Sequence, residues 1–127
     1  TTDAQGLARI EGLSPEALQA VSAFAPLRPG ESILRMIQDR AQQKSWLRTH
    51  GFPVAPFTAA QDLIGLRDGL RALGTPCFIK CARGGYDGRG QFVADSADDA
   101  EAAWAAIGER ACVVETQLKL AHELSVL

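Results

Sequence analysis

Apolar residues in this chain fall into helical spacing in some stretches and into alternation in others. Leu63, Leu66, Leu70 and Leu73 recur every third or fourth position, which predicts a helix from about Ala60 to Leu73, closed by Gly74. Ile33, Leu34, Ile37, Ala41 and Leu47 make a second stripe, which predicts one helix from about Glu31 to His50. Gly51 and Pro53 stand just past its end, where a helix stops. Ser14-Pro15-Glu16 is a helix start, with a capping serine, a proline in the first turn and an acid after it. That helix runs to about Phe24 before Pro26 and Pro29-Gly30 break the chain. Ser96 caps a further helix with an acidic first turn, SADDAEAAWAAIG, ended by Gly108. Short apolar runs predict strands at Cys77–Ala82, Gly90–Ala94, Ala111–Glu115 and Glu123–Leu127. Val54 to Ala59 reads as another, which Pro56 restricts to an edge or a bulge.

Strands and helices alternate, but the pair around residue 85 is joined by a glycine-rich loop alone, so the pattern is α+β with a largely antiparallel sheet. At 127 residues the chain suits one domain or two small lobes. Its 46% hydrophobic and 22% charged residues exclude a disordered chain. A net charge of -2 gives no basic surface for nucleic acid or an anionic membrane. No apolar run approaches the roughly 20 residues of a membrane span, and the first residues lack the pattern of a secretory signal. Cys77 and Cys81, four apart on one strand, would stand about 13 Å apart, too far for a disulfide. With Cys112 they read as three reduced, buried thiols of a cytoplasmic protein, without zinc-ligand spacing.

The unusual segment is RGGYDGRGQ, Arg83 to Gln91, after the strand PCFIKCA. Alternation puts Phe78 and Lys80 on one side of that strand and Cys77, Ile79 and Cys81 on the other. A lone strand lysine ordinarily reaches for water from an edge, and a glycine-rich loop is ordinarily a hairpin. Together they suggest an anion site: glycines free backbone N–H groups to form a nest, and the ammonium adds a point charge. The segment is not a Walker A loop, because no GK[ST] runs into a helix. It is not a dinucleotide fingerprint either, because a strand follows. Protein kinases place their lysine on the strand after the loop, whereas here it precedes.

PCFIKCARGGYDGRGQFV resembles the nucleotide-binding lobe of ATP-grasp enzymes, and among them the 5-(carboxyamino)imidazole ribonucleotide synthases. That family carries Lys-x-x-x-Gly-Gly-Tyr-Asp-Gly-(Lys/Arg)-Gly-Gln, and each fixed position is present from Lys80 to Gln91. RPGESILRMIQDRAQQKSWLRTHGFPVAPF upstream and CVVETQLKLAHELSV downstream resemble further family segments, so the match spans about Leu27 to Leu127. The resemblance implies an ATP-grasp nucleotide-binding lobe over 56–127, a helical linker over 31–55, and over 1–30 helices from the end of an N-terminal α/β domain.

It also implies roles. Lys80 would contact nucleotide phosphate, and Gly85, Tyr86, Asp87, Gly88, Arg89, Gly90 and Gln91 would close over the triphosphate. Arg40 would reach the nucleotide as well; otherwise it is a helix-surface arginine beside helix ion pairs of Asp39 and Lys44. Glu115, Thr116, Gln117 and Leu118 would form the adenine-contacting hinge, which here lacks the aromatic residues of many relatives, and Glu123 would bond ribose hydroxyls. Strand-end solvation is the plain alternative for both glutamates, as an Asp87–Arg89 pair is for the loop.

The implied reaction uses ATP, Mg²⁺ and bicarbonate to carboxylate 5-aminoimidazole ribonucleotide in a cytoplasmic homodimer. The family's metal ligands would follow Leu127 and its first glycine-rich loop would precede Thr1, so the expected object is a central piece, inactive by itself. Another ATP-grasp carboxylate–amine ligase, or a non-catalytic nucleotide-binding module, are the alternative readings.

Overall fold

The computed structural model describes residues 12–84, 90–124 and 126. The chain divides into two compact units, Thr1–Ile37 and Gln38–Leu127. In the first, helix α1 (Pro15–Ser22) starts where expected, with the Ala17 N–H donating to Ser14 Oγ at 3.2 Å. Helix α2 (Glu31–Ile37) carries Glu31 in its first turn. The Ser22 hydroxyl donates to Glu31 Oε2 at 2.8 Å, and Arg35 Nε donates to Oε1 at 2.7 Å. These two bonds, Ser22 foremost, hold the Glu31 carboxyl below its ordinary range.

The single helix expected over 31–50 is two. Helix α3 (Arg40–Thr49) begins afresh, because Asp39 Oδ1 accepts the N–H groups of Ala41 and Gln42 at 3.0 and 3.1 Å. The Arg40 N–H leaves the helical ladder altogether and donates to the Ala82 carbonyl at 2.8 Å. At the far end of α3, Trp46 and His50 stack with ring centroids 3.9 Å apart, and Phe52 lies beyond them.

The second unit is built on strands β1 (Phe57–Ala60), β2 (Cys77–Cys81), β3 (Gln91–Ala94) and β4 (Cys112–Thr116), ordered β1-β4-β2-β3 and antiparallel throughout. β1 is an edge strand, as Pro56 implied, but it starts only after the proline, whose carbonyl accepts the Thr116 N–H at 3.0 Å. Helix α4 (Leu63–Leu73) begins later than the leucine spacing suggests. Asp62 caps it, accepting the Gly65 N–H at 2.7 Å. Ser96 opens a 3₁₀ turn over Ala97–Asp99, with Asp99 reaching back to close a capping box, and helix α5 (Ala100–Ala106) follows. The strand expected over 123–127 is not found: Glu123, Leu124 and Val126 lie outside any strand, and Ser125 and Leu127 are outside the described residues. Leu124 and Val126 are exposed, with no packing partner among the described residues to make that apolar run a sheet element.

The alternation in β2 has a physical counterpart. One sheet face, with Cys77, Ile79, Cys81, Cys112 and Val114, packs on Leu66 and Leu70 of α4 and on Ala100, Ala103 and Ile107 from α5 and its end. The other face carries Phe57, Phe78, Lys80, Val113 and Glu115. Gly69 sets how closely α4 approaches the core face. A Cβ there would lie 2.7 Å from Thr58 Cγ2 and 3.4 Å from Val114 Cγ2. Gly69→Ala is expected to destabilise the fold by about 1–3 kcal/mol, although alanine is the better helix former. Adding Thr58→Ser removes the opposing methyl and should recover part of the loss in urea unfolding.

The three cysteines are free and buried, and Cys81 stands opposite Cys112 across β2 and β4. Burial pushes the Cys112 thiol from 9.0 up to about 11, with Cys81 adding to it, and burial also raises Cys77. The folded state therefore keeps the Cys112 proton after the unfolded chain has released it. The stability linked to Cys112 is intact below pH 9.0 and is lost as pH rises towards about 11. Urea midpoints should fall over that window, and Cys112→Ala should flatten the fall.

Candidate nucleotide-phosphate site

Lys80 is on the face that α4 and α5 leave uncovered. It sits opposite Gln91 on β3 and Val113 on β4, two residue pairs along the ladder from Glu115. Its Nζ is 3.4 Å from Glu115 Oε2 and 5.4 Å from the centre of the Phe78 ring. Glu115 is buried within the sheet rather than solvated at its end, so the plain alternative for this residue fails. A second lysine reaches the same oxygen: Lys44 Nζ, from α3, is 3.3 Å from Glu115 Oε2. Glu115 Oε1 is buried with no hydrogen-bond partner among the described residues. A buried carboxylate needs such cations, since an unpaired one would be strongly disfavoured.

Arg40 joins this group through the end of β2. Its Nη1 donates to the Cys81 carbonyl at 2.9 Å, while its backbone is tied to Ala82. Among the described residues this is one of its five N–H donors. Asp39 does more than cap: its Oδ2 pairs with Arg83 Nε at 3.0 Å, tying the first residues of the glycine-rich segment to α3. Asp39 and Lys44 therefore make long-range pairs, and the local helix pairing considered from sequence is not what forms. Gly84 takes a φ of 66°, open to glycine and strained for other residues. Gly90 is buried and accepts the Cys81 N–H at 2.8 Å, so the two strands meet directly at the base of the loop.

Gly85, Tyr86, Asp87, Gly88 and Arg89, together with the suggested Asp87–Arg89 pair, lie outside the described residues. After β4, the Gln117 N–H donates to the Pro76 carbonyl at 3.1 Å, and Gln117 and Leu118 are exposed. Glu123 is also exposed and, among the described residues, pairs with neither lysine. The structure thus gathers Arg40, Lys80, Glu115 and Gln91 around the ends of β2, and leaves Glu123 apart from their ion pairs. It adds Lys44, which the sequence offers only as a helix ion-pair partner, although it falls one turn after Arg40 within the upstream segment that resembles the family.

A sheet face with a lysine beside a glycine-rich loop, and a carboxylate on the adjacent strand, matches a named domain. The ATP-grasp domain model covers residues 45–127, and this chain belongs to the ATP-grasp family. The likeness narrows further. N5-carboxyaminoimidazole ribonucleotide synthase of Bacillus subtilis is 32% identical over 117 residues, which cover 92% of this chain and 31% of that protein. The Aspergillus clavatus carboxyaminoimidazole ribonucleotide synthase complexed with ATP aligns with a TM-score of 0.76 at 29% identity, over 86% of this chain and 29% of that one. The enzyme from the same organism in complex with ADP and 5-aminoimidazole ribonucleotide aligns at 0.71 and 27% identity, over 84% and 28%. The chain therefore spans about 31% of the length of its curated relatives. The antiparallel α+β lobe expected from the lysine–glycine motif is the fold found.

Proposed function

We propose that this lobe binds ATP and that the whole protein is a ligase that carboxylates 5-aminoimidazole ribonucleotide with bicarbonate. The observation that carries the reading is Lys80, held by Glu115 at 3.4 Å on the sheet face away from α4 and α5, beside the glycine-rich loop. Relatives of this chain bear the name of that synthase, and one such structure holds ADP together with the ribonucleotide. In this reading 1–30 ends a preceding domain, 31–55 links it, and 56–127 is the nucleotide-binding lobe. Arg40, Lys80, the segment Gly85–Gln91, the hinge Glu115–Leu118 and Glu123 meet the nucleotide. The resemblance extends the proposal to a cytoplasmic homodimer.

The chemistry proceeds in two displacements. A bicarbonate oxygen attacks the γ-phosphorus, the bond to the β-phosphate oxygen breaks, and ADP leaves. The amine of the ribonucleotide then takes the carboxyl carbon, directly or as carbon dioxide, and phosphate departs with the former bicarbonate oxygen. Arg40 and Lys80 would bear on charge: fixed cations aimed at phosphate oxygens stabilise a transferring phosphoryl group. Among the described residues no group of three or more His, Cys, Asp or Glu side chains could hold a metal ion. The ligands of Mg²⁺ are proposed to lie outside this chain.

Bicarbonate labelled with ¹⁸O tests the reading. One labelled oxygen should appear in the inorganic phosphate released by the full-length protein in the presence of the ribonucleotide. Turnover without label would overturn phosphorylation of bicarbonate and favour a different carboxylate substrate.

A further inference from the structure

Glu115 Oε2 serves two ammoniums at once, Lys44 at 3.3 Å and Lys80 at 3.4 Å. A structural ion pair in a folded core needs only one lysine per carboxylate. The second adds like-charge repulsion and a desolvation penalty that the carboxylate alone does not offset. Both lysines are largely withdrawn from water, with side-chain exposures of 19% for Lys44 and 28% for Lys80. Nearby cations deepen the imbalance: Arg40 binds the Cys81 carbonyl, and Arg48 lies 4.5 Å over the Phe57 ring, which Lys44 also approaches at 5.6 Å. Asp39 does not redress it, because its carboxylate is engaged by Arg83 and the start of α3. Among the described residues these two clustered ammoniums share one carboxylate, which leaves charge for an anion from outside.

We propose that Lys44 is a second ammonium of the nucleotide-phosphate site, and that the Glu115 side chain positions Lys44 and Lys80 together for that anion. This rests on the ATP-binding reading above. It leaves the hinge role to the backbone of residues 115–118 and gives the buried carboxylate a task of its own. Arg40 and Lys44, four apart on α3, then approach the anion from the helix side, and Lys80 approaches it from the sheet.

The test is binding of ATP and of adenosine to the full-length protein by calorimetry. Lys44→Met is expected to weaken ATP binding about 10- to 100-fold, as loss of a charge-assisted contact does, with adenosine affinity unchanged. The dependence of ATP affinity on salt should become shallower in the variant, and Lys44→Arg should restore most of the affinity. If Lys44→Met does not fold, Lys44→Gln, which keeps a polar end beside Glu115, carries the same comparison. Wild-type protein that binds ATP, with a Lys44 variant that binds it equally well, overturns the inference and spares the ATP-binding reading. An equal loss for ATP and adenosine overturns it too, as a purely structural role. Wild-type protein that binds no ATP overturns the reading beneath it.

Discussion

Lys80→Ala is expected to weaken ATP binding by roughly 30- to 150-fold while the protein stays folded. The estimate corresponds to one charge-assisted contact with phosphate, worth about 2–3 kcal/mol. The fold should survive because Lys80 is not a core residue: it lies on the face opposite Ile79, and its side chain keeps 28% exposure. Glu115 is not orphaned either, since Lys44 remains 3.3 Å from the same oxygen. Titration calorimetry reads the affinity and urea unfolding reads the fold. A variant that unfolds would show that Lys80 is structural and that the phosphate role is misplaced.

Removing both lysines is another matter. Lys44→Met with Lys80→Ala leaves Glu115 only 7% exposed, with both of its ion-pair partners gone. The double variant is expected to lose about 3–5 kcal/mol of stability, which is the usual loss when a buried charge is stripped of its partner. Either single variant should lose far less, because the other ammonium stays. The excess over the sum of the single losses is the quantity to measure, by denaturant unfolding of all four proteins in the cycle. A simple sum would mean that the lysines do not share the carboxylate. Adding Glu115→Gln to the double variant should return part of the stability, since a neutral amide is easier to bury than an unpaired carboxylate.

Much of this architecture is visible in the sequence because it is local. The leucines of α4 follow the helical period and bury Leu66 and Leu70, and the alternation in Cys77–Cys81 separates the core face from the opposite face. What escapes is what distant parts of the chain decide. The stripe Ile33, Leu34, Ile37, Ala41, Leu47 continues through Gln38-Asp39 in helical spacing, so one helix is the natural reading. The break is made by the Asp39 cap and by a bond from the Arg40 N–H to Ala82, just past the end of β2 and far from it in sequence. The long-range pair of Lys44 escaped for the same reason: its partner, Glu115, is on β4, far along the chain. The run from Glu123 to Leu127 shows the converse error. Its residues favour a strand, but Leu124 and Val126 are exposed and no strand forms at the described positions. The glycine-rich motif, by contrast, carried the family without any geometry, because glycines and a tyrosine–aspartate pair in fixed order are rare as a set.

The most direct measurement is ADP release by the full-length protein supplied with MgATP and bicarbonate, with and without 5-aminoimidazole ribonucleotide. Release that depends on the ribonucleotide is the predicted result, and it ties the ATP-grasp lobe to that acceptor. ATP binding with release indifferent to the ribonucleotide would contradict the proposed reaction and leave only the nucleotide site standing.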